Sequence, residues 1–156
     1  MDNVVLIGMP GAGKSTIGVL LAKSLLMDFV DTDLLIQQKY SSSLCDIINK
    51  KGIEEFLKTE NDVICSKSFS NCVIATGGGV VTRPENLPIL RQNSVTVLLH
   101  RPVEELPSDG RPLSQKYGVK ALYEKRKPLY EQFGEYTVEC TGVEETVDKI
   151  LEVLGL

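Results

Sequence analysis

Gly8, Gly13, Lys14 and Ser15 stand at the spacing Gly-x-x-x-x-Gly-Lys-Ser, which is that of a phosphate-binding loop. Glycines let the backbone curl around an anion without Cβ clashes, so that successive N–H groups point inward. Lys14 then supplies a mobile charge for the β- and γ-phosphates, and the Ser15 hydroxyl is placed to ligate Mg²⁺. Gly11, Ala12, Gly13, Lys14, Ser15 and Thr16 are therefore the nucleotide-binding candidates. A fortuitous glycine turn is the competing reading. The apolar run Val4–Ile7 before the loop and the periodic Ile17, Leu20, Leu21 and Leu25 after it supply the strand-then-helix context that the motif requires.

Four further features have the right residue types for chemistry at a phosphate. Asp31 and Asp33 end a short apolar run, where ligands bind in open α/β sheets, and strand alternation would put both on one side. Asp33 can equally cap a helix starting at Leu34. Gly77, Gly78 and Gly79 follow another apolar run and leave the backbone bare for a ligand, or form a flexible turn. Arg111 lies in a loop, where closing over a γ-phosphate would neutralise spread negative charge; a solvated arginine is the alternative. Arg126 has a planar guanidinium suited to a carboxylate, or to a surface ion pair with Glu124 or Glu131.

The elements that must position these groups follow from periodicity. Helices are expected over Lys14–Leu26, Leu34–Tyr40, Leu44–Lys50, Ile53–Lys67, Pro84–Gln92 and Lys120–Gln132, with Pro128 bending or breaking the last of these. A final helix carries Val143, Val147, Ile150, Leu151 and Leu154 on one face. Between them fall strands at Val4–Ile7, Phe29–Asp33, Cys72–Ala75, Val95–Leu99 and Tyr136–Cys140. Continuous apolar strands alternating with helices predict an α/β three-layer sandwich around a five-stranded parallel sheet with right-handed crossovers. Residues 1–156 read as a single domain with a short mobile lid at about 101–119. On the Ile53–Lys67 helix, Glu60 is an acid on an otherwise apolar stripe of Ile53, Phe56, Leu57 and Ile64.

Composition excludes several classes. A chain of 156 residues with 42% apolar and 24% charged residues is ordinary for a soluble globular domain. Net charge of −4 without a basic stripe argues against nucleic acid as a partner, and no apolar run is long enough to span a membrane. Cys45, Cys65, Cys72 and Cys140 are scattered and His100 is the single histidine, which reads as reduced thiols and not as a zinc site. A cytoplasmic monomer is the expectation.

The order of the phosphate loop, Asp31/Asp33, the triple glycine, Arg111-Pro112-Leu113 and Arg126-Lys127-Pro128-Leu129-Tyr130 resembles the shikimate kinase family over essentially the full length. The resemblance implies a P-loop kinase of the nucleoside monophosphate kinase group, phosphorylating the 3-hydroxyl of shikimate from ATP with Mg²⁺. It implies that Lys14, Asp33 and Arg111 are catalytic, with Asp33 on the substrate hydroxyls as base or orienting acceptor and Arg111 also on ATP. It further implies that Ser15 and, through water, Asp31 manage the metal, that Gly77, Gly78 and Gly79 line the substrate site, and that Arg126 binds the substrate carboxylate.

The chain departs from the family pattern in three places. Leu57 stands where the family commonly carries an arginine that helps clamp the carboxylate, while Glu60 is retained. Loss of one such charge-assisted contact removes ~1.5–3 kcal/mol. Lys58 points about 100° away around the helix and is a poor substitute. Val103–Gly110 is short and lacks an arginine, and Cys140-Thr141-Gly142 does not clearly match the family's adenine-contacting loop. The departures keep two other readings open: a related kinase for another small hydroxylated metabolite such as a sugar acid or amino-acid alcohol, and an ATP-dependent binding module.

Overall fold

Strand β1 (Asn3–Ile7) is buried at every position, as a strand covered on both faces must be. The computed structural model describes residues 2–66, 69–106 and 118–156. Around β1 stand β2 (Asp28–Asp31), β3 (Cys72–Ala75), β4 (Ser94–His100) and β5 (Tyr136–Glu139), in the order β2-β3-β1-β4-β5. All neighbours are parallel, with Val5 opposite Ile74 on one side and Thr96 on the other. The three-layer α/β sandwich around a five-stranded parallel sheet is therefore as expected.

Alternation along the strands divides the core. Val4, Leu6, Val73, Val97 and Leu99 pack with Ile17 and Leu21 of α1 (Lys14–Leu25) and with Val147 and Ile150 of α7 (Val143–Val153). Val5, Ile7, Ile74 and Leu98 face α4 (Ile53–Ser66), α5 (Asn86–Arg91) and α6 (Val119–Phe133) through Ile64, Leu90, Tyr130 and Phe133. A third cluster joins Ile36 of α2 (Thr32–Tyr40) and Ile47 of α3 (Leu44–Lys51) to Phe56, Leu57 and Val63 of α4. That small core makes an arm from residues between β2 and β3.

Four local readings are corrected. The strand expected over Phe29–Asp33 ends at Asp31, because the Asp31 carboxylate accepts from the amides of Asp33 and Leu34 and caps α2. Asp33 is thus in the first turn of that helix, and Asp31, not Asp33, is the cap. Pro128 sits inside an unbroken α6. Pro128 and Glu124 are both exposed, so the carbonyl that loses its amide partner lies on the solvent side. The helix expected from Pro84 shortens to Asn86–Arg91, preceded by a 3-10 turn at Val80–Thr82. At the lid, Arg101–Leu106 includes a 3-10 turn at Val103–Glu105, and α6 begins at Val119. Residues 107–117, with Arg111, lie outside the described residues.

Candidate functional site

The turn after β1 is a loop of glycines in the conformations that glycine allows. Gly11 and Gly13 have φ of 84° and 97°, and Gly13 opens α1, whose N-terminal amides face the loop. Inside the loop the Lys14 ammonium donates to the carbonyls of Gly8 at 2.7 Å and Met9 at 2.9 Å. Burial lowers its pKa from 10.5 to about 8, against the opposing pull of Asp33. Incoming phosphate would raise that pKa again, since an adjacent anion favours the charged amine.

Ser15 and Asp31, from α1 and the end of β2, come together. The Ser15 hydroxyl donates to Asp31 Oδ2 at 2.7 Å, while Asp31 Oδ1 holds the α2 cap. Two hard oxygens beside a phosphate loop could hold Mg²⁺, Ser15 directly and Asp31 through water, with phosphate oxygens needed to make up the set. Among the described residues no three His, Cys, Asp or Glu side chains form a metal cage, so a cation here would depend on those added oxygens.

Asp33 reaches a chamber under the glycine segment while Asp31 is held at Ser15, so the shared side expected from strand alternation is lost where α2 begins. Thr76 ties the segment's start to β1 through Leu6 O at 2.8 Å, and Thr32 Oγ1 accepts from the Gly77 amide at 3.2 Å. A methyl group on Gly77 would collide with Glu60 Oε2 and, at 2.6 Å, with Asp33 Oδ1. On Gly78 it would meet the Pro10 ring at 2.7 Å, and on Gly79 it would meet Leu57 Cδ2 at 3.0 Å and Arg126 Nη2 at 3.3 Å. The three glycines are thus walls of the chamber, fixed by close approach and not by flexibility.

Two acids and one guanidinium line this space. Glu60 is 1% exposed and Arg126 3% exposed. Asp33 Oδ1, both oxygens of Glu60 and Arg126 Nη1 are buried without a hydrogen-bond partner. Burial pushes the Glu60 carboxyl up to about 8, with Asp33 adding to the rise, and pushes Asp33 up to about 6 against the nearby Lys14 charge. The Tyr130 hydroxyl donates to Gly78 O at 2.6 Å, and burial raises its pKa to about 12, so it stays a neutral donor. Buried polar atoms left unpaired are costly, and four converging on one space mark a place built for a polar ligand. That ligand would carry an anion for Arg126 and hydroxyls for the carboxylates, with Lys14 and the phosphate loop next to Asp33.

Of the residues singled out from the sequence, the structure brings Lys14, Asp33, Gly77, Gly78, Gly79 and Arg126 into one region, with Ser15 and Asp31 at its phosphate end. The surface ion-pair alternative for Arg126 fails, because the side chain is buried while Glu124 and Glu131 are exposed. Leu57 is packed against Gly79 at the chamber wall, and Lys58 is exposed, facing away as helix geometry requires. Glu60, which the sequence gives only as the retained acid beside Leu57, and Tyr130, to which it gives no role, both stand at this chamber. Their signals were present, an acid in an apolar stripe and a tyrosine one helical turn after Arg126.

A family model described as shikimate kinase matches residues 10–155. Shikimate kinase of Clostridium botulinum strain Alaska E43 is 37% identical, covering 97% of this chain and 93% of that protein. Among solved structures, shikimate kinase from Acinetobacter baumannii in complex with shikimate superposes with a TM-score of 0.90 at 32% identity, covering 99% of this chain and 93% of the other. Shikimate kinase from Aquifex aeolicus gives 0.83 at 34% identity, with 98% and 96% covered. With the phosphate loop, the glycine-walled chamber and this likeness all spanning the same residues, the chain belongs to the shikimate kinase family.

Proposed function

We propose that the protein transfers the γ-phosphate of ATP to the 3-hydroxyl of shikimate, giving shikimate 3-phosphate and ADP. The observation that carries this reading is the glycine segment itself, where Gly78 lies between Pro10 of the phosphate loop and Arg126, and Gly77 lies against Asp33 and Glu60. Shikimate brings a carboxylate for Arg126 and hydroxyls for Asp33 and Glu60, the complement of the unpaired atoms there.

Phosphoryl transfer needs positioning and neutralisation more than covalent chemistry. The loop amides of Gly11–Thr16 and Lys14 hold the phosphates, and Arg111 neutralises the γ-phosphoryl from the lid. Ser15 and Asp31 would hold Mg²⁺, which supplies charge neutralisation on the phosphate oxygens. Asp33 accepts a hydrogen bond from the attacking hydroxyl, and its raised pKa makes it a stronger base than an ordinary carboxylate.

Leu57 favours a second reading, an acceptor with less negative charge or with an amine toward Glu60. Both are tested by incubating the protein with Mg-ATP and shikimate, gluconate, homoserine or nucleoside monophosphates, and identifying products by mass spectrometry. Shikimate 3-phosphate as the dominant product is expected; preferential phosphorylation of another acceptor overturns the assignment.

A further inference from the structure

We infer that Arg83 supplies a second guanidinium to the acceptor's carboxylate, on the flank of the chamber where Leu57 stands. This rests on the proposed reading of the chamber as an acceptor site. The Arg83 backbone is held one turn from the chamber wall. Thr82 donates to Gly79 O through its amide at 3.0 Å and its hydroxyl at 2.6 Å. From there the side chain runs back to the first turn of α4, where Nη2 donates to Glu54 O at 3.3 Å. Leu57 lies one turn further along that helix.

What Arg83 now holds is weak. Its side chain is only 26% exposed, yet its ion-pair partners, Glu54 and Glu85, are 92% and 53% exposed and each 3.5 Å away. Exposed pairs of this kind stabilise little, so releasing them costs little. The Arg83 Nε is buried with no partner at all.

The chamber, meanwhile, is short of cationic charge on the α4 side. The Leu57 methyl against Gly79 cannot hydrogen-bond a carboxylate, and Arg126 approaches from α6 alone. Three cations act on Glu60 deep in the chamber: Arg126, Lys14 and Arg83. Lys14 is committed to the phosphate loop. Among the described residues Arg83 is the remaining donor, and a rotamer change on its long side chain would carry the guanidinium from Glu54 toward the acceptor.

The test compares Arg83→Gln and Arg83→Lys with wild type, using KM and kcat for shikimate and calorimetric Kd for shikimate and its uncharged methyl ester. Arg83→Gln should raise KM and Kd for shikimate about ten- to a hundredfold. The kcat and the KM for ATP should move less than about twofold, and Arg83→Lys should recover part of the affinity. Ester binding, already weak, should be nearly insensitive to Arg83. Unchanged shikimate affinity in Arg83→Gln, or an equal loss on the ester, overturns the inference. A Glu54→Gln/Glu85→Gln double variant removes the present partners without touching Arg83. Shikimate affinity should then be unchanged or tighter; a loss matching that of Arg83→Gln would mean that Arg83 is only a tie between turn and helix. Wild-type protein that does not phosphorylate shikimate overturns the proposed function and this inference together, whereas an active wild type with an indifferent Arg83 overturns this inference alone.

Discussion

Glu60 holds a proton at neutral pH that an ordinary glutamate would have lost. Its folded pKa of about 8 lies above the unfolded 4.5, so between those values the folded chain keeps a proton that the unfolded chain releases. Stability from this group is intact below about pH 4.5 and declines as pH rises to 8. Asp33 acts in the same sense between 3.8 and about 6. Glu60→Gln removes the titration while keeping the shape. Its melting temperature, without nucleotide or acceptor, should therefore gain on wild type steadily from pH 5 to pH 8. A difference that stays flat across that range would refute the burial argument. Such a group is hard to read from sequence: an acid at a helical stripe position can snorkel to water or lie buried, and only the packing of Gly77 over it decides.

At the scale of elements, Asp31 has two tasks that can be separated. One oxygen caps α2 and the other receives the Ser15 hydroxyl. Asparagine caps as well as aspartate but lacks the charge. Asp31→Asn should therefore keep stability within ~0.5 kcal/mol while raising the Mg²⁺ concentration needed for half-maximal turnover. Asp31→Ala should lose about 1 kcal/mol in urea as well. Equal stability loss in both variants would show that the cap is not what holds the helix start. The strand-to-helix junction illustrates what a sequence leaves hidden. Among the described residues, apolar periodicity marks every strand and α-helix near its observed place, because burial on one or both faces imposes it. It carried β2 two residues too far, to Asp33, since an aspartate fits a strand terminus and a cap equally well. It likewise overstated Pro128, whose cost depends on which side of α6 meets water.

The phosphate loop was legible because its chemistry is contained in eight consecutive residues, Gly8–Ser15. The chamber was legible only in pieces. Asp33, Gly77 and Arg126 are far apart along the chain, and no spacing rule joins them; the pairing of β2 with β3 joins the first two, and α6, tied to Gly78 O by Tyr130, brings in the third. At the scale of the whole molecule, net charge is −4 while the proposed substrates are anions, so the overall field opposes their approach. Capture must rest on local groups of the phosphate loop and on Arg126. Raising ionic strength from about 0.02 to 0.2 M, at constant free Mg²⁺, should then change kcat/KM no more than a few-fold, because steering falls steeply with salt and local contacts do not. A steep decline would point to long-range attraction instead.

The neighbouring positions of β2, β3 and β1 carry a consequence for how such an enzyme can diverge. On the proposed reading, nucleotide handling hangs from the central strand, whereas recognition of the second substrate hangs from the arm of α2–α4, from the turn after β3 and from Arg126 of α6. The two sets of determinants meet at Asp33 and Lys14, and most of the arm's packing is internal to its own small core. Exchanging residues 32–66 and 77–83, together with position 126, for those of a relative with another preference would thus re-aim the same phosphate donor at a new alcohol, with the triphosphate cradle left as it is.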